Sequence, residues 1–225
     1  MKAIFLDIDG VIQPLFKQER FKHMHEIIDI AKELDSKIPG YSYHDYVTQK
    51  HFMNLPYTPY IRQCDLAAVY YDWSKDAVDH LRIALEQHEA KIVISSSWRN
   101  NGEHVMKAFL AIYGLDKYYY GMLDGNLHCG PTESQKKAIE YFNSLRSEVH
   151  PSYDKRAAEI RDYLSQHPEI TSYVAIDDYN LGFPVSRHFV HCNDGVLDTR
   201  KRELISSILD IEDGPYPICV MYESF

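Results

Sequence analysis

The sequence predicts an α/β domain built on a doubly wound parallel sheet, and three observations carry that expectation. Four short β-type runs, KAIFLD (2–7), KIVISS (91–96), SYVAID (172–177) and HFVHC (188–192), are nearly continuous in apolar residues. Strands buried on both faces have that pattern, whereas half-exposed strands alternate. Amphipathic helical patterns lie between these runs, and strands alternating with helices imply right-handed crossovers between parallel neighbours.

In chain order, the first run ends in FLDIDG, where Gly10 permits a sharp backbone turn. Residues 14–72 exceed what a crossover needs. They hold one amphipathic helix, with Phe21, Met24, Ile28 and Ala31 on a stripe, stopped by Pro39-Gly40. A tyrosine- and proline-rich stretch from YSYHDYV to NLPYTPYI follows. Compact folds disfavour long structureless loops, so a small, partly helical, cap-like lobe over the sheet edge is expected.

SKDAVDHLRIALEQHEA (74–90) is the clearest helix, with Ser74 as N-cap and Val78, Leu81 and Leu85 facing inward. Residues 100–151 form a second, smaller insertion containing EHVMKAFLAIYG, the run YYYGMLDG, and a helix at 132–145 opened by the capping-box pattern T-x-x-Q. SYDKRAAEIRDYL (152–164) takes Ser152 as its cap and turns Ala157, Ile160 and Leu164 inward. TRKRELISSIL (199–209) follows the last strand, and 211–225 is a tail or edge strand. The expected organisation is a core of residues 1–13 and 73–210 interrupted by insertions at 14–72 and 100–151.

The chain of 225 residues suits one sizeable domain with an inserted lobe. Its formal net charge of −9 offers no general attraction to nucleic acid or to a membrane surface, though a local basic groove is compatible with it. No apolar run is long enough to span a bilayer. MKAIFLDIDG makes a poor cleavable leader because acids interrupt it at once. The four cysteines are widely spaced and form no C-x-x-C pair, as expected of reduced packing thiols in a cytoplasmic protein. The twelve histidines are scattered and include no H-E-x-x-H.

Ligands of open parallel sheets sit beyond the carboxyl ends of the strands. Here those ends carry Asp7 and Asp9, the hydroxyls of SSSWR (95–99) with Arg99, and the pair Asp177-Asp178. Lys155 and Arg156 open the helix that leads into the third run. Alternate residues of a strand face one side, so the acids would crowd together and need a cation or a shared proton. Aspartates and backbone carbonyls are hard oxygen donors suited to Mg2+, which prefers a site shared with phosphate. A carboxylate held there can attack phosphorus, and a second one two residues on can protonate the leaving oxygen and later deprotonate water. A serine hydroxyl and a basic side chain would bind the phosphoryl oxygens. Arg99 is suited to gripping phosphate, to stacking on a base, or to pairing with a surface carboxylate.

FLDIDGV, IVISSS, an upstream basic residue and VAIDD, in that order around strands, resemble the four motifs of the haloacid dehalogenase-like (HAD) hydrolases. The resemblance implies a Rossmann-like core and a Mg2+-dependent phosphatase working through an aspartyl-phosphate. It makes Asp7 the nucleophile and Asp9 the general acid/base. The metal would fall to Asp7, the Ile8 carbonyl and Asp178, with Asp9 beside them and Asp177 bound directly or through water. Ser96 is the favoured phosphate hydroxyl, with Ser95 and Ser97 as alternatives. Either Lys155 or Arg156 fills the basic motif, and neither is followed by that motif's usual proline.

SSSWR, KRAAEIRDYL to HPEITSYVAIDD, and HFVHCNDGVLD further resemble the HAD domains associated with Swiss Army Knife RNA repair proteins. A phosphorylated small molecule, a nucleotide or a polynucleotide end is then the expected substrate. A phosphotransferase or mutase sharing the intermediate, and a non-catalytic binding module that keeps the fold, are the alternative readings.

Overall fold

The computed structural model describes residues 1–16, 18–23, 25–26, 46–47, 61–125, 151–181, 185–193 and 195–211. The chain enters through β1 (Lys2–Leu6) and reaches a short antiparallel pair, β2 (Tyr46–Val47) with β3 (Ile61–Arg62). A short helix α1 (Gln63–Ala67) runs into a π-helical turn at Ala68–Asp72. Then come α2 (Lys75–His88), β4 (Lys91–Ile94), a 3-10 turn at Ser97–Asn101, α3 (Glu103–Ile112) and β5 (Tyr119–Met122). Helix α4 (Pro151–Gln166), β6 (Ser172–Asp177), β7 (Phe189–His191) and α5 (Thr199–Leu209) follow.

The five long-range strands form one parallel sheet in the order β5-β4-β1-β6-β7. Leu6 at the end of β1 stands level with Ile94 on one side and Ile176 on the other. The chain steps outward from β1 through β4 to β5, then crosses back over β1 to β6 and β7. The direction of winding reverses at the β1–β6 seam, where such sheets open a crevice.

Strand alternation splits the core into two layers. Ile4 and Leu6 join Val78, Leu81 and Leu85 of α2, Phe109 of α3 and Ile205 of α5 in one cluster. Ala3, Phe5, Val93 and Ala175 pack on the other face against Ala157 and Ile160 of α4. Helices thus cover both faces, which explains why the strands are apolar throughout. Ser74 caps α2 as expected, accepting from the Ala77 amide.

Several elements differ from expectation. Ser152 lies inside α4, which starts at Pro151; proline suits a first helical position because its missing N–H would be unpaired there anyway. The YYYGMLDG run supplies a fifth strand, β5, at the sheet edge, where half-exposed residues blur the apolar pattern. Phe21, expected on an inward stripe, is 64% exposed. The helix at 132–145, the tail at 212–225 and most of the 14–72 lobe lie outside the described residues. Among the described residues, no helix is long and apolar enough to cross a membrane.

Candidate active site

The site grows from the first loop after β1. The Asp7 amide still pairs with the Ile176 carbonyl of β6, so the sheet ladder holds Asp7 in place. The chain then turns. The Ile8 carbonyl accepts from the amides of Val11, Ile12 and Gln13, and the Gly10 amide bonds the Gln13 carbonyl at 2.7 Å. Gly10 sits at φ +71°, and a side-chain carbon built there would stand 2.3 Å from Cβ of Asp178. Only glycine combines that backbone conformation with that closeness, so the loop lies directly against the end of β6.

Asp177 and Asp178 complete the cluster. Asp7 is 3% exposed and Asp177 fully buried, and one carboxylate oxygen each from Asp7, Asp177 and Asp178 lie within 4.8 Å of one another. Arg156, on the first turns of α4, contacts two of them through Nη1, at 3.1 Å from Asp7 and 2.5 Å from Asp177. Asp177 also accepts from the Tyr179 amide at 2.9 Å. Among the described residues, Asp178 Oδ1 is buried without a hydrogen-bond partner. Three carboxylates therefore face one guanidinium.

The electrostatics follow from that imbalance. Burial pushes the Asp7 carboxyl well above the usual carboxylate range, and repulsion from Asp177 adds to it; Arg156 and a hydrogen bond from the Ser96 hydroxyl oppose the rise. Burial also raises Asp177, against the pull of Arg156. Asp178 is pushed up to about 6 by burial and by Asp177. For Arg156, burial alone would lower the pKa, but Asp7 and Asp177 outweigh it and raise it further. Three groups that resist ionisation in one pocket lack positive charge. A hard divalent ion with carboxylate ligands would supply it, and the donor set of Asp7, Asp177 and Asp178, with its unpartnered buried oxygen, fits Mg2+.

The other expected residues fall in different places. Asp9 stands outside the cluster: Oδ1 accepts from Gln13 Nε2 at 2.6 Å and Oδ2 from Trp98 Nε1 at 3.0 Å. The Ile8 carbonyl, offered as a metal ligand, accepts from three backbone amides, so both of its lone pairs already have donors. Ser96 is fully buried, bonds Asp7 and caps the following 3-10 turn by accepting from the Trp98 amide; Ser95 is buried beside it, and Ser97 is exposed. Arg99, offered as a phosphate grip, instead bonds the Ser95 carbonyl at 2.6 Å and Glu159 at 2.9 Å. Of the two basic candidates, Arg156 reaches the acids, whereas Lys155 is exposed and approaches Glu159 at 3.6 Å. Gln13 and Trp98 were absent from the sequence-derived site. Gln13 had a usable signal, since it lies four residues beyond Asp9 across a glycine turn.

A parallel sheet carrying this acidic cluster at its winding reversal defines an HAD-like α/β domain with a Rossmann-like core. The family described as the HAD domain in Swiss Army Knife RNA repair proteins matches residues 3–198, and the chain belongs to that family. Neither the curated proteins nor the solved structures contain a match.

Proposed function

We propose that the chain is a Mg2+-dependent phosphatase that hydrolyses a phosphomonoester through an aspartyl-phosphate. The observation that carries this reading is the crowding of Asp7, Asp177 and Asp178 around a point with a deficit of positive charge. Asp7, Asp177 and Asp178 would hold the ion, whose charge stabilises the ionised carboxylates and the phosphoryl oxygens.

In the first step an Asp7 oxygen attacks phosphorus as the bond from phosphorus to the ester oxygen breaks, and Asp9 gives its proton to the departing oxygen. The product alcohol leaves, and the phosphoryl group stays on Asp7. In the second step water attacks phosphorus, its proton passes to Asp9, and inorganic phosphate departs with Asp7 restored. Arg156 has five N–H donors and, among the described residues, bridges the acids through Nη1, so other donors would serve the phosphoryl oxygens. The buried Ser96 hydroxyl, adjacent to Asp7, supplies a further donor.

The family description links such domains to RNA repair, and a phosphorylated polynucleotide end is the substrate class we favour over free nucleotides and sugar phosphates. Phosphate release from a panel of 3′- and 5′-phosphorylated oligonucleotides, nucleotides and sugar phosphates tests this choice. Asp7→Asn is expected to lower turnover on the order of 10⁴-fold or more, as nucleophile losses do elsewhere. Undiminished phosphate release by the purified variant would refute the nucleophile assignment.

A further inference from the structure

Asp9 and its two partners form an arrangement that the reaction scheme leaves unexplained. Its carboxylate is gripped from both sides, by Gln13 Nε2 on Oδ1 and by the Trp98 indole N–H on Oδ2. Each donor is itself fixed. Gln13 is 2% exposed, and its backbone closes the first loop by accepting from the Gly10 amide and donating to the Ile8 carbonyl. Trp98 lies in the first positions of a tight turn capped by Ser96, and its ring packs edge-on against Phe109 at 5.6 Å and tilted against Trp73 at 6.0 Å. Trp73 lies in the main core, where its own indole nitrogen has no partner among the described residues.

We infer that Trp98 and Gln13 are positioning residues for Asp9, fixing the plane of its carboxyl group so that its remaining lone pairs hold one direction. The inference rests on the phosphatase reading for its consequence, though not for its geometry. A carboxyl group without these contacts would rotate about its terminal torsion, which is broad and roughly two-fold. Proton delivery to a leaving oxygen then requires a favourable rotation at each turnover. Trp98 sits 89 positions from Asp9 in the chain, so the second motif region helps to aim the first.

Proton donation matters most when the leaving oxygen is a poor leaving group. The test is therefore kcat/KM over a series from 4-nitrophenyl phosphate through phenyl phosphate to ethyl phosphate, for wild type, Trp98→Phe, Gln13→Met and Asp9→Asn. Both positioning variants remove the donor; Gln13→Met keeps nearly the same bulk, and Trp98→Phe keeps an aromatic ring. We expect Trp98→Phe to lose roughly tenfold on ethyl phosphate, a fraction of what a general acid contributes in full. The loss on 4-nitrophenyl phosphate should be several times smaller, and Asp9→Asn should show the same tilt more strongly. An NMR arm needs no turnover. The protein has two tryptophans, and Asp9→Asn should shift the indole N–H signal of Trp98 upfield while leaving that of Trp73 in place.

A uniform loss across the series in Trp98→Phe, or a Trp98 indole signal that stays put in Asp9→Asn, overturns the positioning role. Either result leaves the phosphatase reading intact so long as wild type releases phosphate and Asp7→Asn does not. Failure of wild type to release phosphate from any ester overturns the phosphatase reading instead, and the indole shift still decides whether Trp98 holds Asp9.

Discussion

Helix α4 carries two buried ion clusters one turn apart, and they are balanced in opposite senses. Around Arg156 a single guanidinium serves Asp7 and Asp177, with Asp178 alongside. Around Glu159 a single carboxylate, 2% exposed at its side chain, lies 2.9 Å from Arg99 and 3.6 Å from Lys155. The second cluster sets two cations against one acid, so it has no deficit of positive charge, although Glu159 Oε1 makes no hydrogen bond among the described residues. The first is short of positive charge, and a ligand's charge belongs where the fold leaves such a deficit. Two clusters built from similar residues on one helix thus differ in charge balance.

Substitutions should separate them. Arg99→Met strips the main partner from a buried carboxylate, and breaking such a pair costs about 3–5 kcal/mol. Thermal denaturation should show the loss, while kcat/KM of the folded fraction stays within a few-fold of wild type. A stable Arg99→Met protein with abolished activity would break the comparison, because it would place Arg99 on the substrate. Arg156→Met strips the partner from two buried carboxylates, so it should cost stability too, but unlike Arg99→Met it should also lower kcat/KM of the folded fraction by about 10²–10³, equivalent to about 2.7–4 kcal/mol of transition-state stabilisation, as loss of one oxyanion donor does.

The smallest effect is the most diagnostic of the charge deficit. Asp178 titrates near 6 in the folded protein against 3.8 unperturbed, so in metal-free solution its contribution to stability is full below about pH 4 and is lost as pH rises through 6. Mg2+ requires the ionised carboxylates, so its stabilisation should grow over that same interval and reach about 2.7 kcal/mol at one hundred times Kd. Melting curves with EDTA and with Mg2+ between pH 4 and 8 measure both slopes. A Mg2+ effect that is absent, or equal at pH 4 and pH 8, would sink the metal assignment.

Much of this was legible from residue order. Acids at the ends of apolar runs are costly unless they have work to do, so Asp7, Asp177 and Asp178 announced a common point before any geometry was known. The alternation of runs and helical stripes specified the layers, because burial on both faces leaves no other pattern. Helical phase was harder to read. Lys155 and Arg156 are neighbours separated by about 100° of rotation, and the packing of Ala157 and Ile160 on the sheet decides which of them meets the acids. Backbone direction is illegible in residue order: nothing in the Ile8 side chain reports that three amides converge on its carbonyl. The Trp98 contact to Asp9 was hidden by its 89-residue separation. The edge strand β5 was hidden by half-exposure.

The fit of Gly10 against Asp178 also bears on when the molecule becomes competent during synthesis. Residues 7–10 have a resting place defined by a strand that emerges some 170 positions after them. Until β6 docks beside β1, Asp7 stands without Asp177 and Asp178, the two acids clustered with it. An incomplete polypeptide stopped before residue 172 would carry the leading signature of the family and none of its chemistry.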